Sequence, residues 1–255
     1  MQDTWVVALR AILAFLLALL GGAVSSAIAV SHNRLCRMIS LAAGTLLGVT
    51  VFSILPECYA VLSAWQLAIA LISGYAVFFL ISRYVFHVCP ACAASHFDEA
   101  ATHRFSEIAT AMVIALGLHS TLDGLALALG TESGMSGGLD ASLLLAICIH
   151  KIPEGLALCA LLLAAGLSRP VALAWVAAVE STTLVGGAIG LWAAPQISGI
   201  WMDLILAHVG GGFMFLAIHA VFGELVKHRK KSVLVSFAAG ILLIVALKLI
   251  LQLQG

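Results

Sequence analysis

Apolar runs of about 20 residues recur along the whole chain, and this repetition restricts the possible folds more than any other feature. A helix of that length crosses the roughly 30 Å hydrocarbon core of a bilayer. Hydrophobic residues make up 63% of the chain and charged residues only 9%, too few to cover the surface of a soluble domain. The sequence therefore predicts an all-α polytopic membrane protein.

Eight membrane spans are predicted, joined by short connections that leave no room for a soluble domain. We place them at about 5–30, 40–63, 65–88, 106–130, 140–166, 170–194, 201–226 and 232–253. The whole chain, 1–255, is then a single transmembrane domain with a loop at 89–105.

The distribution of basic residues indicates how these spans are oriented. If the connections alternate sides, one side holds most of the basic residues, including the cluster Lys227, Arg229, Lys230 and Lys231. The opposite side holds mainly acidic residues. Because basic residues are enriched in cytoplasmic loops, both termini are predicted to lie outside. The formal net charge of zero does not identify a partner, and we expect no nucleic acid.

The loop at 89–105 contains the sequence CPAC, formed by Cys89 and Cys92, with His96 close by. Thiolates and imidazoles are zinc ligands, so this loop is a candidate for transient metal capture. The alternative is a solvated linker with two free thiols, since disulfides seldom persist in the cytoplasm. A lone CxxC does not decide between them.

Two neighbouring spans share an unusual polar pattern. The fourth contains GLHSTLDGLALALG and the fifth contains CIHKIPEGLALCALL. His119 and Asp123 are four residues apart, as are His150 and Glu154, so each pair lies on one face of its helix. Two such faces in opposition would present two imidazole nitrogens and two carboxylates. That ligand set suits zinc and also accommodates iron, manganese or cobalt.

The energetic cost of these residues favours a functional site over simple packing. The packing alternative is that the two helices neutralise their polar groups against each other as histidine–carboxylate hydrogen bonds. An ionisable residue at the bilayer centre costs about 2.5–3.5 kcal/mol on insertion scales. Four of them at matching depth, repeated as a motif, are therefore interpreted as an ion site.

Pro153 lies between His150 and Glu154 of the fifth span. It cannot donate a backbone hydrogen bond and its ring crowds the carbonyl four residues earlier, so we expect a broken helix here. Gly124 and Gly155 each follow an acidic residue of the pattern and allow close approach of a neighbouring helix.

The paired motifs resemble the fourth and fifth spans of the ZIP (Zrt-, Irt-like) family of divalent-metal transporters. The family patterns are close to His-Asn-x-Pro-Glu-Gly and His-x-x-Pro-Glu-Gly. SILPE at 53–57 is similar to the second-span pattern of the family, with Ser53 where histidine is usual. AIHAVFGE at 217–224 is similar to the seventh-span segment.

The resemblance implies a metal site between spans four and five, carried by His119, Asp123, His150 and Glu154. It implies eight spans with both termini outside, and an elevator motion of spans one, four, five and six against spans two, three, seven and eight. His219 and Glu224 become metal-pathway residues near the cytoplasmic exit, and Glu57 a weaker candidate for the outer entrance. We expect a homodimer in a bacterial inner membrane.

The sequence departs from the family where several bacterial members hold a second metal. Those positions are Ser120, Lys151 and Thr183 here, and Glu180 lies one helical turn before Thr183. A buried lysine requires a partner, and Asp123, Glu154 and Glu180 are the candidates. Our hypothesis is that Lys151 fills the position of the second ion, so that one metal binds. The alternative is that its long side chain faces away toward a polar cavity.

Three classes of function use buried histidines and acids in a membrane. A metal importer, carrying zinc or another divalent cation such as iron, manganese, cobalt or cadmium, agrees best with the motifs. An intramembrane zinc hydrolase would need an open metal position for water and a general base, and the sequence lacks HExxH. An ion channel would share the ligands but not saturable transport. We therefore expect a transporter and not an enzyme.

Overall fold

The computed structural model describes residues 2–28, 32–81, 83, 102–132, 137–196, 199–228 and 231–254. These residues form helices and no β-strand, which confirms the all-α prediction. The helices are α1 (Gln2–Ala27), α2 (His32–Val49), α3 (Leu55–Val61), α4 (Ala64–Leu80), α5 (Thr102–Glu132), α6 (Gly137–Ala164), α7 (Arg169–Glu180), α8 (Thr182–Ala193), α9 (Gly199–His228) and α10 (Lys231–Gln254).

Six helical stretches of the described chain are long and apolar enough to cross a bilayer. They are Thr4–Ala27, Cys36–Val61, Ala141–Leu163, Arg169–Ala193, Gly199–His219 and Lys231–Leu251. The shorter α4 is also apolar, and α5 covers the predicted fourth span. Many large apolar side chains on these helices are exposed, for example Trp192 at 71% and Leu253 at 87%, as expected of a surface that faces lipid.

Two of the spans are irregular, but neither irregularity lies at Pro153, where the sequence predicts a broken helix. Helix α6 runs from Gly137 to Ala164 through Pro153, so the expectation of a broken fifth span is wrong. A single proline removes one backbone hydrogen bond, and the flanking turns keep theirs. The second span contains instead a π-helical turn at Thr50–Ile54, and the sixth span is interrupted at Ser181, between α7 and α8.

The π-helical turn lies just before Pro56, which has no N–H to offer to the Phe52 carbonyl four residues earlier. The Nζ atom of Lys248, on α10, donates a hydrogen bond to this carbonyl. A lysine on an apolar span thus provides a donor where the proline cannot.

Glycines bring four pairs of helices into backbone contact. A Cβ atom added at any of these glycines would lie only 1.8–2.2 Å from a carbonyl oxygen of the neighbouring helix, so a larger residue cannot fit without movement. In one group of helices the contacts are Gly21 with Ile152, Gly155 with Ala18, Gly124 with Thr183 and Gly186 with Thr121. In the other group they are Gly44 with Phe237, Gly240 with Leu41, Gly74 with His208 and Gly211 with Leu71.

We assign the helices to two groups that follow the two sets of spans named for the elevator motion; the glycine contacts join four pairs of helices, and α3 and α7 take part in none of these contacts. Group A contains α1, α5, α6, α7 and α8, and group B contains α2, α3, α4, α9 and α10. Each of the contacts above joins two helices of the same group. Helices α2 and α6 pack along the boundary between the groups.

Candidate metal site

The two polar motifs face each other across α5 and α6. His119, Asp123, His150 and Glu154 each offer a ligand atom, and these four atoms lie within 4.8 Å of one another. All four residues are at most 9% exposed. The spacing of four residues places each histidine and its acid on one helix face, as predicted, and the packing of α5 on α6 opposes the two faces.

Asp123 lies at the centre of this cluster. Its Oδ2 atom is 3.1 Å from Nε2 of His150 and 3.6 Å from Nε2 of His119. The same oxygen is 2.9 Å from Nζ of Lys151. One carboxylate oxygen is therefore shared by both imidazoles and by the ammonium group.

The orientation of His150 is set by its own helix. Its Nδ1 atom lies 2.9 Å from the carbonyl oxygen of Ala146, and because a carbonyl can only accept, Nδ1 carries the hydrogen. In a neutral imidazole the lone pair is then on Nε2, which faces the Asp123 carboxylate. Two acceptors held this close favour a cation between them, and a backbone bond to the other ring nitrogen is common in metal-binding histidines.

Several buried polar atoms of the site lack hydrogen-bond partners among the described residues. They include Nδ1 of His119, Oδ1 of Asp123 and Oε1 of Glu180. Buried polar groups in proteins are nearly always hydrogen-bonded, so such a cluster indicates an additional ligand.

Lys151 points into the site and is completely buried. Its Nζ atom lies 2.9 Å from Oδ2 of Asp123, 2.8 Å from Oε2 of Glu154 and 2.9 Å from Oε2 of Glu180. It also donates a hydrogen bond to Oγ of Ser120 at 2.7 Å. All three acidic partners considered from the sequence therefore contact this lysine, and the alternative that it faces away is wrong.

These contacts also determine the electrostatic balance of the site. Three carboxylates contribute three negative charges and the ammonium contributes one positive charge, which leaves a formal charge of −2. A buried net charge is costly in a medium of low dielectric constant. One divalent cation would neutralise it.

The other predicted residues lie elsewhere or outside the described part of the chain. Thr183 is buried at the start of α8, close to Gly124. Glu57 is half-buried on α3, and Ser53 is buried in the π-helical turn. His219, on α9, donates its Nδ1 hydrogen to the Phe215 carbonyl at 2.9 Å. The Glu224 side chain and the loop residues Cys89, Cys92 and His96 are outside the described residues, and their roles stay predictions.

Phe213 is a site residue that the sequence did not reveal. The centroid of its ring lies 6.0 Å from that of His119 and 6.5 Å from that of His150, and its side chain is 1% exposed. An aromatic residue in an apolar span carries no polar signal, so only its packing identifies it. The glycines at 210–212 that precede it are the one unusual local feature.

Residues 91–248 match the family described as ZIP zinc transporter. The matched region is more than half of the chain and contains both polar helices. This chain belongs to the ZIP zinc transporter family. The resemblance read from the paired motifs is thereby confirmed, and this ZIP protein is a multi-pass membrane protein from a family of transporters.

This ZIP chain is also similar to the metal cation symporter ZIP14 of Xenopus tropicalis. The two are 34% identical over 125 residues, which is 48% of this chain and 26% of the frog protein. The chain therefore spans about a quarter of the length of that relative.

Proposed function

We propose that this ZIP protein carries divalent metal cations, zinc above all, across the membrane into the cytoplasm. The observation that carries this proposal is the convergence of four ligand atoms within 4.8 Å, on His119, Asp123, His150 and Glu154. The match to the ZIP family covers both helices that supply them. The printed name of the frog relative, a metal cation symporter, agrees with metal as the substrate class.

Zinc suits this ligand set because it is bound by imidazole and carboxylate, commonly in four-coordinate sites. Iron, manganese, cobalt and cadmium are the other candidate substrates, since the same ligand types accommodate other divalent metals. Competition of each ion against zinc in one uptake assay would rank them.

The site binds one ion, because Lys151 occupies the point where a second would bind. Its Nζ atom is surrounded by oxygens of Ser120, Asp123, Glu154 and Glu180 at 2.7–2.9 Å. A second ion would have to displace the ammonium from these partners. One divalent cation also brings the formal charge of −2 to zero, whereas two would leave an excess of positive charge in the bilayer.

Zinc bound per purified chain, measured by mass spectrometry of the metal, tests this stoichiometry. We expect one ion for the native protein and two for Lys151→Asp, which replaces the ammonium by a carboxylate. Lys231→Met, at the exposed start of α10, is the matched control and should bind one ion. Two ions on the native protein would contradict the assignment of Lys151.

Transport proceeds by an elevator motion in which group A, with the metal ligands, moves against group B. The glycine contacts support this, because each of them holds together helices of one group. The architecture comprises eight spans with both termini outside, in a homodimer in a bacterial inner membrane.

The pathway continues through His219 and Glu224 toward the cytoplasm, and Glu57 lies near the outer entrance. Helix α9 carries both exit residues and ends at His228, beside the basic cluster. Replacement of His219 and Glu224 together by alanine should slow zinc release and reduce the uptake rate. An unchanged rate and unchanged metal selectivity would refute the exit assignment.

Uptake of zinc into liposomes that contain the purified protein tests the function directly. His150→Ala should abolish most of the saturable uptake, because the ion loses one of four ligands at a site where it must shed water. His208→Ala is the matched control, since this histidine of α9 bonds to Ser73 at 2.8 Å and is not one of the four ligands. Unchanged saturable uptake by His150→Ala would refute the assignment of the metal site.

A further inference from the structure

The ring of Phe213 covers both histidines of the metal site. Its plane is inclined by 80° to the ring of His119 and by 63° to that of His150, and the two imidazole centroids are 5.3 Å apart. The aromatic side chain thus lies against the pair of nitrogen ligands from the side of α9. It places an apolar surface next to groups that bind a cation.

Helix α9 carries Phe213 and packs closely against α4 within group B. A Cβ atom added at Gly211 would lie 2.1 Å from the Leu71 carbonyl oxygen, and one added at Gly212 would lie 2.7 Å from the Phe78 ring, both on α4. A Cβ atom added at Gly74 of α4 would lie 1.8 Å from the His208 carbonyl oxygen of α9, so the two backbones are in contact there as well. Phe213 therefore keeps its place relative to α4, whereas His119 and His150 belong to group A.

We propose that Phe213 is a fixed barrier of transport, an apolar ring that closes the metal site on the side of group B. This inference rests on the proposed transport function and adds a residue that determines when the ion can leave. An ion under the ring has no ligand or water on that side, because a benzene ring is a poor partner for a hydrated dication. Release requires the two histidines to move away from the ring.

A barrier and a simple packing residue predict different effects of side-chain size. Removing the ring opens a continuous path, so Phe213→Ala should keep zinc binding while its uptake rises without saturation and calcium enters the liposomes. Enlarging the ring hinders the movement of the histidines past it, so Phe213→Trp should lower the maximal rate several-fold with little change in zinc affinity. Phe213→Leu, which retains apolar bulk, should restore saturable uptake and exclude calcium.

The experiment measures zinc and calcium uptake into liposomes over a range of concentrations, with zinc affinity measured on the same purified variants. Phe79→Ala is the matched control. Its side chain is 43% exposed on α4 and contributes to none of the glycine contacts that hold α9 against α4. This control should keep saturable uptake and exclude calcium.

The outcomes separate the barrier from the transport function. If the native protein takes up no divalent metal, the proposed function fails. If it transports zinc while Phe213→Ala saturates at the native KM and excludes calcium, the barrier is overturned and the transport function stands. If Phe213→Ala does not fold, Phe213→Trp decides: a lower maximal rate at native zinc affinity supports the barrier, and an unchanged rate overturns it.

Discussion

The Nζ atom of Lys151 lies 2.9 Å from Oε2 of Glu180, and this ion pair connects the middle of α6 to the last residue of α7. Ser120 of α5 joins the same network, because its hydroxyl donates to Oε2 of Glu180 at 3.2 Å. Three helices of group A therefore meet at one buried ammonium group, directly beside the metal ligands.

Replacement of Lys151 by methionine should make stability depend strongly on zinc. The substitution leaves three buried carboxylates without their ammonium partner, and breaking a buried ion pair costs about 3–5 kcal/mol. We expect a lower thermal midpoint without metal, and a larger increase on adding zinc than the native protein shows, because a ligand of the folded state stabilises it. Thermal unfolding in detergent measures both, and Lys231→Met serves as the control. A native midpoint in metal-free buffer would count against the network.

Replacement of Glu180 by glutamine should weaken zinc binding although Glu180 is not one of the four ligands. It changes the formal charge of the site from −2 to −1, so the dication is attracted less strongly. We expect a loss of about tenfold in affinity, equivalent to about 1.4 kcal/mol. Asp203→Asn is the control, because this buried acid of α9 is neither one of the four ligands nor an ion-pair partner of Lys151. Equal zinc affinities of the two variants by calorimetry would contradict this charge effect.

Alanine at Gly44 should destabilise the protein, whereas alanine at Gly117 should not. The added Cβ at Gly44 would lie 2.1 Å from the Phe237 carbonyl oxygen, and such overpacking costs about 1–3 kcal/mol. The Cβ at Gly117 meets nothing within 4 Å, so this helix gains up to about 1 kcal/mol from the better propensity of alanine. Thermal midpoints in detergent should therefore shift in opposite directions. An unchanged or higher midpoint for Gly44→Ala would show that the α2–α10 contact is less tight than described.

Replacement of Lys248 by methionine should cost about 1–3 kcal/mol, because the Phe52 carbonyl loses its donor. In a Pro56→Ala background the cost should shrink, since alanine restores a backbone N–H within reach of that carbonyl. The unfolding free energies of the two single variants and the double variant give the coupling energy. Strict additivity would show that Lys248 and Pro56 do not serve the same carbonyl.

The all-helical fold could be predicted because helix formation depends on local sequence. A run of about 20 apolar residues must satisfy its backbone internally in lipid, and a helix does so within the run itself. The pairing of His119 with Asp123 and of His150 with Glu154 on one helix face follows from helix periodicity in the same way. The family followed from these motifs and is confirmed by the match over residues 91–248.

The course of the helices near their prolines could not be predicted. Pro153 suggested a break, yet α6 continues through it, while the π-helical turn precedes Pro56 and receives the hydrogen bond of Lys248 from a distant helix. Whether a proline breaks a helix depends on which neighbour satisfies the freed carbonyl, and that neighbour is far away in sequence.

The sequence by itself determined that this chain is a helical membrane protein and which residues carry its polar groups. Only the tertiary structure decided that Lys151 contacts Asp123, Glu154 and Glu180 together, and that Phe213 covers the two histidines. The physical reason is that helix formation depends on bonds within about four residues, whereas these contacts join different helices. Their positions depend on which backbones the glycines allow to touch, and that choice is made by the packing of the whole bundle.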